Sequence, residues 1–105
     1  MEKYFMGIDA GTGSVRVAIF DEKGHMTAYD VKEYPSYYPK SGWAEQNDRD
    51  WWNALKEAIP ACIRKSGVEP KEIVGISCDG TSSTTIFLDK DGNSVRTPIL
   101  WMDVR

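Results

Sequence analysis

Apolar residues in the first third of the chain either run together or fall on every second position, the spacing of strands. Residues 3–8 are apolar-rich, and Val15, Val17 and Ile19 alternate with Arg16, Ala18 and Phe20. β-Branched residues in that pattern predict a strand central in its sheet and covered on both faces. Asp21-Glu-Lys-Gly24 then predicts a type I turn with a left-handed glycine, closing a hairpin onto a third strand at about 26–34. The device recurs as Asp89-Lys-Asp-Gly92 and predicts a second hairpin pairing 85–88 with 94–97. An Asp-x-Asp-Gly run also occurs in calcium loops, but here the glycine comes too early and the closing Glu is missing, which leaves a solvent-exposed turn.

The pattern changes after Tyr34. From Pro35 to Gln46 no period survives, and Pro35, Pro39, Ser41 and Gly42 punctuate a loop whose Tyr37, Tyr38 and Trp43 are expected to pack it onto its own domain. Asn47 is a helix cap, Asp48 and Asp50 complement the positive end of a helix dipole, and Trp52, Leu55, Ala58, Ile59, Cys62 and Ile63 recur at helical spacing. Arg64, Lys65 and Gly67 mark the end of this helix, and Pro60 predicts a bend that the helix survives. Pro70 opens a single helical turn, followed by a short buried strand at 73–77. Strand, helix and strand together form the unit of an α/β sheet.

Length and charge narrow the function. A chain of 105 residues is one small domain at most. With 41% apolar and 28% charged residues it has the composition of a folded chain, outside the disordered regime. A net charge of −3 and the lack of any Lys/Arg block argue against nucleic acid. No apolar run approaches the ~20 residues of a membrane-spanning helix. The acidic residue at position 2 and the short apolar stretch behind it do not resemble a secretory leader. Cys62 and Cys78 are too few and too far apart for a disulfide framework or a zinc site, so both are expected to be small buried hydrophobes in a reducing, cytoplasmic setting.

Three segments carry candidate chemistry. Gly7-Ile-Asp9-Ala-Gly11-Thr12-Gly13-Ser14-Val-Arg16 ends a strand in a carboxylate, turns through small residues and starts a second strand. Glycines let backbone N–H groups ring an anion, Thr12 and Ser14 add hydroxyls, and Asp9 can hold a hydrated divalent metal beside phosphates. The segment lacks the third glycine of a dinucleotide fingerprint and the Gly-Lys-Ser/Thr of a P-loop. A phosphate-binding hairpin and a plain Gly-rich turn with one exposed Asp both remain open. Ser77-Cys-Asp79-Gly-Thr81-Ser82-Ser-Thr-Thr85 offers hydroxyls and a carboxylate to a polyol, or merely begins a strand. In Pro98-Ile-Leu-Trp101-Met-Asp103-Val-Arg105, Trp101 offers a flat wall to a sugar, and Asp103 binds hydroxyls or pairs with Arg105; a strand end with a buried Trp is the plainer account. His25 adjoins a turn and reads as a surface residue.

Taken in order, the Gly7 to Arg16 segment, Gly42-Trp-Ala-Glu-Gln46 with Trp51-Trp52, Val74-Gly-Ile-Ser77 and the Pro98 to Arg105 segment resemble the N-terminal part of the FGGY carbohydrate kinases. The resemblance covers essentially the whole chain. Cys78-Asp-Gly-Thr-Ser-Ser-Thr84 is similar to the ribulokinase type, without the Gln-Met-His-Gly of xylulokinases or the Asn-Gln-Arg-Glu of glycerol kinases.

The resemblance implies a ribonuclease-H-like, actin-like ATPase fold, with residues 1–105 forming part of the first of two lobes around a mixed sheet. It implies ATP with Mg²⁺ as cofactors and a sugar substrate, a ketopentose such as ribulose. Asp9, Gly11, Thr12, Gly13, Ser14 and Arg16 would face the phosphates, with Asp9 acting on Mg²⁺ through water, and Thr81, Ser82, Trp101 and Asp103 would line the sugar pocket. The general-base Asp and the second lobe would lie beyond residue 105. The chain is thus expected to be a fragment, inactive alone, with a free sheet edge prone to self-association, and its parent a homodimer. A non-catalytic sugar- or nucleotide-binding module and an actin- or chaperone-like ATPase are the competing classes.

Overall fold

The computed structural model describes residues 2–105. Strands β1 (Tyr4–Ala10), β2 (Ser14–Asp21) and β3 (Met26–Glu33) form an antiparallel meander, helix α1 (Asp48–Ser66) follows, and a 3₁₀ turn (Pro70–Glu72) leads into β4 (Ile73–Gly80). The sheet order is β3-β2-β1-β4, with β4 parallel to β1, so the sheet is mixed. The predicted turn at Gly24 forms with the glycine at φ +83°. Asn47 caps α1 by accepting from the Arg49 N–H, and Gly67 ends it in the left-handed region; the helix continues unbroken through Pro60.

α1 lies over β2 and β3. Alternation on β2 sends Val15, Val17 and Ile19 inward, where they meet Ala54, Ala58 and Cys62 of the helix. The small helix residues let the axis approach the sheet closely. Asp30, on the same inner face of β3, is buried but paired with the Lys65 ammonium at 2.6 Å. That contact, and the nearby Lys32, hold its carboxyl below the usual range.

Several expectations are corrected. β2 is covered on one face only, because α1 is the sole helix among the described residues long enough to cover a sheet. β4 is longer than predicted and is an edge strand, not a buried one, with Val74 and Ile76 exposed, since α1 stops short of it. Cys62 is buried, whereas Cys78, on that bare strand, is exposed. Trp52 lies on the solvent side of α1, and Ala54 takes the inward position. The second hairpin keeps its Asp89–Gly92 turn, but only isolated bridges such as Leu88↔Ser94 form, since a two-stranded ribbon without a packing partner is marginal. In the loop after β3, Ala44, Glu45 and Gln46 are buried while Tyr37 and Tyr38 stay exposed. No helix among the described residues is long and apolar enough to cross a membrane.

Removing side-chain volume under α1 opens a cavity, so Ile19→Ala is expected to cost about 2–5 kcal/mol. Trp52→Ala, on the solvent side, is expected to change stability by less than about 0.5 kcal/mol. Urea denaturation midpoints check both, and equal losses would contradict this placement of the helix.

Candidate functional site

The β1–β2 turn is closed by the Gly11 N–H donating to the Ser14 carbonyl at 2.9 Å. Neither Gly11 nor Gly13 has positive φ, so the left-handed region is not what calls for glycine at either position, although a Cβ on Gly11 would stand 3.4 Å from the Ser14 carbonyl. A Cβ on Gly13 would meet nothing within 4 Å, which leaves its backbone open to an approaching ligand.

The carbonyls of this turn all point inward, to groups that sequence reasoning gave no role. The Tyr34 hydroxyl sits between the carbonyls of Gly11 and Ser14, the latter at 2.9 Å, and shares its one hydrogen between them, and the Tyr34 N–H donates to the Gly13 carbonyl at 3.2 Å. Gln46 Nε2 donates to the Thr12 carbonyl, while its Oε1 accepts from the Trp51 indole at 2.9 Å. Gln46 is almost wholly buried, just before the cap of α1, so its amide orientation is set by Trp51 and Ser36. With the carbonyls occupied, the N–H groups of Thr12 and Gly13 meet no protein acceptor among the described residues. N–H groups left without a protein acceptor, with hydroxyls beside them, are groups that can ring an anion.

Asp9 lies at the end of β1 opposite Arg16 of β2 and Asp79 of β4. All three sit on the face away from α1, because Arg16 alternates with the buried Val15 and Val17. Arg16 Nη1 donates to Asp9 Oδ2 at 2.9 Å, with both side chains about half exposed. The Asp79 carboxyl, and then Arg16, hold Asp9 below the usual carboxylate range, while Asp9 pushes Asp79 up. Sequence order grouped Asp79 with the Ser/Thr run; the parallel register brings it to Asp9 instead. A carboxylate pair of hard oxygens fits a magnesium ion that keeps most of its water. No group of three or more ligating side chains forms among the described residues.

The four sugar-site candidates do not fall together. Trp101 and Asp103 line a cleft of about 390 Å³ with Ser83, Thr85, Arg96 and Thr97. Thr81 lines a separate cavity of about 200 Å³ with Gly11, Tyr34, Gln46 and Thr84, and Ser82 is exposed outside both. Trp101 is 56% exposed, so it is not a buried strand-end residue. Its indole N–H reaches Thr12 Oγ1 at 3.4 Å, joining the cleft to the hairpin. The Asp103 side chain is buried and engaged: it accepts from the Ala44 N–H at 2.6 Å and from Arg105 Nη2 at 2.6 Å. Of its two sequence roles, pairing with Arg105 is the one seen.

Residues 4–105 match the N-terminal domain of the FGGY family of carbohydrate kinases. Glycerol kinase 1 of Lactiplantibacillus plantarum is 41% identical over 95% of this chain and 20% of its own length. Two solved structures are similar. A gluconate kinase from Lactobacillus acidophilus is 28% identical, with a TM-score of 0.88 over 98% of this chain and 20% of its own. A xylulose kinase from the same organism is 29% identical, with a TM-score of 0.87 over 96% of this chain and 20% of its own. The chain therefore spans about one fifth of the length of the relatives it matches.

Arg105 holds the Asp103 carboxyl far below the usual range, and Thr97 with Arg105 lowers that of Glu45. A carboxyl depressed by folding stabilises at pH values above its unfolded pKa of about 4, and this stabilisation is lost as pH falls through the folded value. Stability is thus expected to hold from pH 7 to about 4 and to fall below that. Asp103→Asn should be less stable at pH 7 and show a shallower acid limb in thermal denaturation at stepped pH; an unchanged limb would contradict the pairing.

Proposed function

The chain belongs to the FGGY family of carbohydrate kinases by its N-terminal domain, and from that premise we propose that it serves ATP-dependent phosphorylation of a sugar or polyol hydroxyl. On this reading residues 1–105 are the opening part of the first lobe of a longer kinase, and the base that receives the hydroxyl proton lies in a different segment of that polypeptide. The single observation that carries it is the hairpin, whose carbonyls are tied inward and whose N–H edge is left open beside Trp101.

The group transferred is the terminal phosphoryl of magnesium–ATP, whose charge the site must hold while the acceptor approaches in line. The N–H groups of Thr12 and Gly13 and the hydroxyls of Thr12 and Ser14 bind phosphate oxygens without a competing side chain at Gly11 or Gly13. Asp9, with Asp79 beside it, would hold the magnesium ion through its water, and Arg16 both fixes Asp9 and adds positive charge. Trp101 supplies the wall on which the acceptor's carbon face rests. Ser83 and Thr85 line the acceptor cleft with hydroxyls, whereas Thr81 and Ser82 stand apart from it, and Asp103 ties the Trp101 segment to Ala44. Positioning and charge neutralisation of this kind are most of what phosphoryl transfer asks of a protein.

The acceptor we favour is a ketopentose such as ribulose, on the Cys78 to Thr84 segment. Glycerol is the second reading, favoured by the 41% identity to a glycerol kinase. The parent protein is proposed to be cytoplasmic and homodimeric.

The test is turnover by the full-length polypeptide with ATP, Mg²⁺ and a panel of ribulose, xylulose and glycerol. Ribulose is expected to give the highest kcat/KM, and Asp9→Ala to lower it by about 10²–10³-fold. Preference for glycerol would replace the first acceptor by the second. Turnover of no polyol or ketose would overturn the kinase reading.

A further inference from the structure

We propose that Glu45 is a positioning residue for the acceptor cleft, setting where Trp101 stands while touching no substrate. The inference rests on reading that cleft as the acceptor site. Glu45 sits in the loop between β3 and α1 and is 8% exposed. Its backbone is fixed by a reciprocal pair with Tyr37, at 2.7 and 2.8 Å. The carboxylate is therefore delivered at a defined place.

Three donors converge on it from both sides of Trp101. Thr97 Oγ1 donates to Oε1 at 2.7 Å, and Arg96 Nη2 and Arg105 Nη2 donate to Oε2 at 2.8 and 2.7 Å. Arg96 and Thr97 precede the tryptophan and Arg105 follows it, so one buried charge pins the whole intervening segment. Neighbouring backbone completes the clasp: the Leu100 N–H donates to the Ala44 carbonyl at 2.9 Å and the Gln46 N–H to the Pro98 carbonyl at 3.3 Å. Arg105 is further held by Asp103 and lies over the Trp43 ring at 3.7 Å.

The charge at position 45 matters more than the shape. Arg96 and Arg105 are two cations in one place, and without Glu45 only Asp103 remains to neutralise them. Arg96 lines the same cleft as Trp101 and is about half exposed, so a freed guanidinium would turn into the space the acceptor occupies. Glu45→Gln keeps the volume and an acceptor for Thr97 while removing the charge. Glu45→Asp keeps the charge and withdraws it by one methylene.

The experiment compares the full-length wild type, Glu45→Gln and Glu45→Asp, using whichever of glycerol, ribulose or xylulose the wild type phosphorylates, with acceptor binding followed by calorimetry and folding by thermal denaturation. Second-layer displacements of this kind change affinity by roughly 10–100-fold. Glu45→Gln is expected to raise the acceptor KM and dissociation constant by about tenfold or more, with the ATP KM within about twofold of wild type; Glu45→Asp should fall between. Unchanged constants with a lowered melting temperature, or acceptor and ATP constants rising together, would overturn the proposal. If Glu45→Gln does not fold, Glu45→Asp decides it: an unchanged acceptor constant overturns it and an acceptor-only rise supports it. A wild type that binds and turns over none of glycerol, ribulose and xylulose removes the kinase reading and this inference with it, whereas an active wild type with an unaffected Glu45→Gln removes this inference alone.

Discussion

Tyr34 and Gln46 grip the β1–β2 hairpin from inside, and the outward face of that hairpin has its character because of them. A tight turn carries as many acceptors as donors; tying the carbonyls of Gly11, Thr12, Gly13 and Ser14 to the protein leaves donors on the open side. Both gripping residues are delivered by larger structure. Tyr34 directly follows β3, and Gln46 precedes the Asn47 cap of α1, so the packing of α1 on β2 and β3 reaches the hairpin through them. A loss of core packing would loosen the turn before it touched any side chain of the site.

The sheet order gives the site its second feature. Because β4 adds to β1 in parallel, the ends of β1 and β4 come out side by side, and Asp9 and Asp79 meet. Ligands of parallel α/β sheets gather beyond such strand ends. The antiparallel β2 contributes Arg16 from the other side, and the Trp101 segment reaches back to Thr12. Three separate stretches of sequence thus share one face, while the same asymmetry leaves β4 bare, with Val74 and Ile76 exposed.

The elements with local signatures were legible in the sequence. Alternation gave β2, a cap and a left-handed glycine bounded α1, and an Asp-x-x-Gly turn joined β2 to β3. Coverage was not legible, because which strand a helix lies over depends on contacts between distant segments; Cys78 and Trp52 were misplaced for that reason. The site divided along the same line. Asp9, Thr12, Ser14 and Arg16 stand in one short run and could be read together. Asp79 became a neighbour of Asp9 only through strand register, and Glu45 and Gln46 read as loop residues, and Tyr34 as a strand end, until their burial is known. Asp103 shows the converse: its position was legible, but its engagement with Ala44 and Arg105 depends on a fold-back that no local pattern announces.

The most direct test of the account is the environment of the Gly11 and Gly13 amides. In the full-length polypeptide labelled with ¹⁵N-glycine, titration with magnesium–ATP should shift the Gly13 resonance strongly and the Gly11 resonance less, since the Gly11 N–H is already held by Ser14. Shifts confined to glycines remote from the hairpin, with both of these unmoved at saturation, would contradict it.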